Sequence, residues 1–182
     1  MLKINKIEKA IVVGFEFFNE LTVKGFSSLE LLSKKTHLAF SKDRDGMVLG
    51  EGVGLLLLST ESNHPSDLEI KAGHSACDTF NLTTPNENGF HMASVIEEAI
   101  RMSGLDSLDI DLIKVHGTAS PASDNAEHRA ILNVFSEPPP IIALKPFTGH
   151  TLGACAAIET ALTCDIIKNN SLPLPGYTKR VT

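Results

Sequence analysis

Residues Lys145 to Glu159 read KPFTGHTLGACAAIE, and this stretch constrains the fold more than any other. A lysine and a histidine flank a glycine-containing turn, and small residues then open a helix. Two titratable groups are thereby set beside a helix N-terminus, where free N–H groups and the dipole disfavour imidazolium. His150 is therefore expected to be neutral and to donate one hydrogen bond. Lys145 is placed to hold a carboxylate or an oxyanion. The stretch reads as an active-site corner that the rest of the chain must complete.

The chain has 182 residues, enough for one domain with a real core. Hydrophobic residues make up 42% and charged residues 21%, the ordinary balance of a soluble globular protein. A net charge of −6 argues against a nucleic-acid binder, which needs a basic face. The three cysteines, Cys77, Cys155 and Cys164, give no disulfide framework and suit a reducing cytoplasm. The N-terminal MLKINKIEKA lacks an apolar signal core, and no apolar run is long enough to span a bilayer.

Strand and helix signals alternate along the chain. Ala10–Gly14 is a β-branched run ended by glycine. Leu29–Ser33 suits a short helix or turn. Met47–Leu58 is apolar and β-prone but carries three glycines, which predicts a strand or hairpin where backbones approach closely. Leu68–Ala76 alternates and predicts the next strand. Asn81–Gly89 is dense in turn residues. His91–Ser103 has helical spacing, with Met92, Val95, Ile96, Ala99 and Ile100 on one face and Gly104 as C-cap. Ile110–Val115 predicts a strand, Asn125–Phe135 a helix, Ile141–Leu144 a strand, and Thr151–Lys168 a long helix ended by Pro173 and Pro175. The alternation predicts an α/β fold with a largely parallel sheet.

In such sheets ligands sit beyond the C-terminal ends of strands. His116 follows the strand IDLIKV, and Lys145 and His150 follow IIAL. If these strands are neighbours, all three side chains meet at one edge. Glu159, in a small-residue and apolar helix context, needs a partner, and Lys145 is the natural one. Asp124 and Glu127 fall at a helix start, where acids stabilise the dipole, so capping is the expected role. His116, Asp124, Glu127 and His128 match no standard metal-ligand spacing. Cys155, in the tight run GACAA, reads as a small buried hydrophobe rather than a nucleophile.

Four segments carry a resemblance. Arg44–Gly54 (RDGMVLGEGVG), Thr84–Gly89 (TPNENG), Val115–Asp124 (VHGTASPASD) and Lys145–Glu159 resemble the RDG…GEGAG, TxPxxNG, HGTGTPxGD and KSxxGHxxGAAGxxE motifs of the β-ketoacyl-acyl-carrier-protein synthases. These are condensing enzymes of the thiolase superfamily. The resemblance implies a thiolase-like α/β fold, with the tail of an N-terminal half over about 1–60 and a C-terminal half over about 61–182, the final strands missing. It implies decarboxylative Claisen condensation in fatty acid or polyketide synthesis. In it His116 and His150 bind the malonyl carbonyl and stabilise the enolate, and Lys145 orders the site with Glu159. Asp124 and Glu127 count among the supporting residues. Thr118 and Ser120 match hydroxyls that contact phosphopantetheine. No resident cofactor or metal is implied, because the substrates ride on an acyl carrier protein. The implied partners are that carrier and an N-terminal half or synthase subunit, in a homo- or heterodimer.

The chain departs from the pattern at Pro146, where the family has serine, and at Ala119-Ser120, where it has a Gly-Thr-like pair. The family's nucleophilic cysteine falls before the equivalent of Ala10, so the chain by itself is expected to lack condensing activity. The alternative is a non-catalytic, chain-length-factor-like subunit.

Overall fold

The computed structural model describes residues 7–62, 64–81 and 84–171. Two apolar runs far apart in sequence pair first. β1 (Lys9–Glu16) and β2 (Gly52–Ser59) form an antiparallel ribbon with Ile11 opposite Leu57, Val13 opposite Leu55 and Phe15 opposite Val53. Between them α1 (Glu20–Ser28) starts on Asn19, whose side chain accepts the N–H groups of Leu21 and Thr22. This cap, followed by acidic Glu20, is a start signal that the sequence reading passed over. Leu29–Ser33 is turn rather than helix, with Glu30 at φ 56° and Leu32 bridging to Met47.

The remaining elements build a βαβ unit. α2 (Phe90–Ser103) ends on Gly104 at φ 75°, the left-handed cap its sequence announced. β3 (Ile113–Lys114) lies parallel to β4 (Ile141–Ile142), with Ile113 opposite Ile141 and Lys114 opposite Ile142. α3 (Pro121–Val134) crosses between them. Buried Val115, Ile131 and Phe135 form the core, against which Phe40, Ile96, Ile100 and Ile113 pack. α4 (Lys145–Thr148) and a short 3-10 turn (Leu152–Ala154) lead into α5 (Cys155–Asn169). β3 and β4 are shorter than the apolar runs Ile110–Val115 and Ile141–Leu144, and Leu68–Ala76 forms no strand. An alternating segment becomes a strand only with a hydrogen-bonded neighbour, and none of the described strands pairs with it. Pro173 and Pro175 lie outside the described residues, and α5 already ends at Asn169.

Glycine decides how the ribbon meets α5. A Cβ on Gly54 would sit 2.6 Å from the Ile158 nitrogen, and one on Gly14 would sit 2.9 Å from the Gly153 oxygen. Sheet and helix therefore touch backbone to backbone, as the glycines of Met47–Leu58 predict. Among the described residues no helix is long and apolar enough to cross a membrane.

Candidate active site

The parallel pairing of β3 and β4 brings the predicted corner together, since His116 leaves one strand and Lys145 the other. The His116 and His150 rings meet edge to face, 5.3 Å between centroids at 87°. The turn that carries His150 is fixed by a second close approach. The His150 N–H donates to the Val48 carbonyl at 2.7 Å, and the Gly50 N–H donates to the His150 carbonyl at 3.1 Å. A Cβ on Gly50 would fall 2.0 Å from the Thr148 oxygen, and Gly149 sits at φ 68°. The RDG…GEGVG and GH segments are thus one backbone unit, and both glycines are required by contact.

Lys145 is fully buried. Its ammonium donates to Glu159 Oε1 at 2.8 Å, to the His116 carbonyl at 2.5 Å and to His116 Nδ1 at 3.3 Å. All three protons are committed, so Lys145 holds His116 and has no donor left for an oxyanion. Of the two anions expected for it, the carboxylate is that of Glu159, and no proton remains for the oxyanion. The partnership with Glu159 is as expected. Pro146 lies in the first turn of α4, where an N–H has no helical partner in any case, so the missing donor is tolerated.

The ring tautomers follow from these bonds. An ammonium only donates, so His116 Nδ1 accepts and Nε2 carries the hydrogen. The Leu152 N–H donates to His150 Nδ1 at 3.3 Å, which puts the His150 hydrogen on Nε2 as well. Both imidazoles are pushed down to about 4, by burial first and by Lys145 next. His116 is nonetheless surface-exposed. Its Nδ1 edge is turned to buried Lys145, and the open edge carries Nε2. His150 is neutral as expected, but burial and Lys145 hold it so, rather than a helix dipole. The result is two uncharged N–H donors at one corner.

Glu159 is 2% exposed and serves two lysines, Lys145 on Oε1 and Lys114 on Oε2. Burial raises its carboxyl, yet the lysines outweigh burial and hold it below the usual carboxylate range. Lys114 was missed by sequence reasoning. Its position at the end of β3, two residues before His116, was the available signal.

Asp124 and Glu127 are not helix caps; α3 has no side-chain cap, and its N-cap residue is Ser120. Glu127 accepts the His116 and Gly117 N–H groups at 2.6 and 2.9 Å. Asp124 is buried, accepts the Ala119 N–H at 3.1 Å and the Phe40 N–H at 2.8 Å, and faces Arg44. The loop needs these acceptors because Gly117 and Ala119 both hold positive φ, 52° and 64°, which exposes their N–H groups away from any ladder. Burial raises both carboxyls. Thr118 is buried and its hydroxyl accepts the Ser120 N–H at 3.4 Å. Cys155 is buried and its thiol, raised by burial, donates to Glu159 Oε1 at 3.2 Å. Cys77 is exposed on a surface segment. His128 is exposed on α3, and no group of three or more His, Cys, Asp or Glu side chains among the described residues converges as a metal site.

A model of the beta-ketoacyl synthase C-terminal domain matches residues 68–175, and one of the N-terminal domain matches residues 1–64. The chain belongs to the β-ketoacyl synthase family. A 3-oxoacyl-[acyl-carrier-protein] synthase 2 of Mycobacterium bovis is 35% identical over 74% of the chain. The chain spans 34% of that relative's length. Among solved structures, a beta-ketoacyl synthase from Burkholderia phymatum superposes with a TM-score of 0.88 at 30% identity, covering 97% of this chain and 46% of that one. A ketosynthase in complex with its chain length factor from Xenorhabdus doucetiae gives 0.86 at 32% identity, covering 96% and 43%. The fold is therefore the thiolase-like α/β fold of ketosynthases.

Proposed function

We propose that this β-ketoacyl synthase chain supplies the malonyl-decarboxylating corner of a chain-extending condensing acyltransferase. The observation that carries the reading is the pair of neutral imidazoles, 5.3 Å apart, each with hydrogen on Nε2. A malonyl thioester oxygen placed between them accepts both N–H bonds. As the bond to the carboxylate breaks, its electron pair passes into the thioester as an enolate, and carbon dioxide leaves. Two preorganised donors stabilise the charge that develops on the oxygen. Lys145, Glu159 and Glu127 keep the rings in register, and Thr118 and Ser120 line the approach for a phosphopantetheine arm borne by an acyl carrier protein.

The acyl-accepting thiol is supplied from outside residues 1–182, by an N-terminal half or a synthase subunit. Cys155 is unsuited to that part, because its proton is held by a carboxylate and its thiol pKa is raised. A chain-length-factor-like role is the second reading. Retention of His116, His150 and their support favours the catalytic one.

Carbon dioxide release from a malonyl-pantetheine thioester tests the proposal on the full chain. Release is expected without condensation, and His150→Ala is expected to lower it by about 10²–10³-fold. An unchanged rate in that variant overturns the assignment. Release should hold as pH falls from 7 and fail near 4, where protonated Nδ1 atoms oppose the Lys145 and Leu152 donors. A fall centred on the ordinary histidine value of 6.5 would contradict the neutral-pair geometry.

A further inference from the structure

A third histidine lies behind the other two, outside every recognised motif. His37 is 3% exposed. Its Nε2 is 2.8 Å from the Gly117 carbonyl, and its Nδ1 is 3.4 Å from the Val48 nitrogen. One neutral tautomer satisfies both contacts, with Nδ1 accepting the Val48 N–H and Nε2–H donating to Gly117. The two partners belong to the two backbone segments that carry the catalytic rings. Gly117 directly follows His116, and the Val48 carbonyl holds the His150 N–H. No other described side chain is hydrogen-bonded to both Gly117 and Val48.

We propose that His37 is a positioning residue that ties the His116 loop to the His150 turn, and that a proton on its Nδ1 releases the Val48 side of the tie. Protonation turns the Nδ1 acceptor into a donor pointed at another N–H, whereas the Gly117 bond survives because Nε2–H still donates. The charged groups around the ring compete. Asp124 from α3 and Glu159 from α5 favour imidazolium, and Lys145 from α4 opposes it. The neighbouring His150 ring is itself neutral, Lys35 on the same segment is exposed, and Arg44 is engaged by Asp124. Burial, the largest influence, outweighs both the Gly117 hydrogen bond and the carboxylates and lowers His37. The neutral, tied form therefore holds at neutral pH, and the tie opens only on acidification below the ordinary 6.5. Its relevance to catalysis rests on the malonyl-site reading, but the tie itself does not.

The test is a pH titration of the ¹⁵N-labelled full chain by NMR, reading ring tautomers, backbone amides and amide exchange. At neutral pH His37 is expected as the Nε2–H tautomer. On acidification the Val48 and His150 amides should titrate with the His37 midpoint, and Val48 exchange, corrected for its intrinsic rate, should quicken about tenfold as its bond is lost. In His37→Gln, whose side-chain N–H still donates toward Gly117, that component should vanish while the His116 and His150 rings keep their own midpoints. A Val48 amide that ignores the His37 midpoint overturns the proposal, as does a variant that keeps the component. The wild-type titration decides the matter even if the variant does not fold. No malonyl substrate enters the experiment, so a failed carbon dioxide assay and a failed titration are separate results.

Discussion

The corner around Lys145 and the ribbon of β1 and β2 share α5 but treat their side chains in opposite ways. In the corner nearly every polar atom has a partner: Lys145 spends three donors, Glu159 takes two lysines and a thiol, and Glu127 takes two backbone N–H groups. On the ribbon one face packs on α5 while the other is left open. Its cross-strand pairs Ile11–Leu57, Val13–Leu55 and Phe15–Val53 are each 53–65% exposed. An apolar ladder of that kind marks a surface that another body covers. The difference teaches that the corner's hydrogen bonding is locally complete, whereas the ribbon's packing is not.

The largest test strikes the corner. Glu159→Ala leaves Lys145 buried with an uncompensated charge, and chemical denaturation should show a loss of about 3–5 kcal/mol. A loss below 1 kcal/mol would mean that the network is not buried in solution as described. Gly50→Ala should cost roughly 1–3 kcal/mol, because its methyl meets the Thr148 carbonyl and the turn must shift. The same measurement on Ala119→Gly should move the other way, by ~0.5–1 kcal/mol, since the alanine holds φ 64°. On the ribbon, Val13→Lys with Leu55→Glu places opposite charges across the ladder and should change stability by no more than about 0.5 kcal/mol. Sedimentation should nonetheless register it. The unsubstituted chain is expected to associate at high concentration, and the double variant to shift toward monomer. A clean monomer without the substitutions would break the contrast between the two regions.

The site was largely legible in the sequence because its residues sit at positions that local rules identify. His116 and Lys145 follow apolar runs that become parallel neighbours, and Glu159, a carboxylate among apolar and small residues, needs a cation. What was illegible depends on tertiary approach. Nothing local to Asp124 or Glu127 says that two residues at positive φ will turn their N–H groups toward them. Both therefore read as caps. His37 was missed for the same reason, since its Gly117 partner lies 80 residues away, and Lys114, though set beside His116 in sequence, has its partner 45 residues away. The α/β class followed from alternation, but the largely parallel sheet did not. Among the described strands the longer pair, β1 and β2, is antiparallel, and only β3 and β4 run parallel. Leu68–Ala76 forms no strand, because a strand is a relation between two segments.

The saturated ammonium of Lys145 also makes the chain's lysines unequal toward amine-reactive reagents. Acylation needs an approachable nitrogen, and that of Lys145 is fully buried among Glu159 and His116, while the Lys24 side chain stands 73% exposed. Under native conditions the label should reach Lys24 at once and Lys145 only when the corner opens. The rate at which Lys145 takes up label is then a clock for the opening of this one site, readable by mass spectrometry without any substrate.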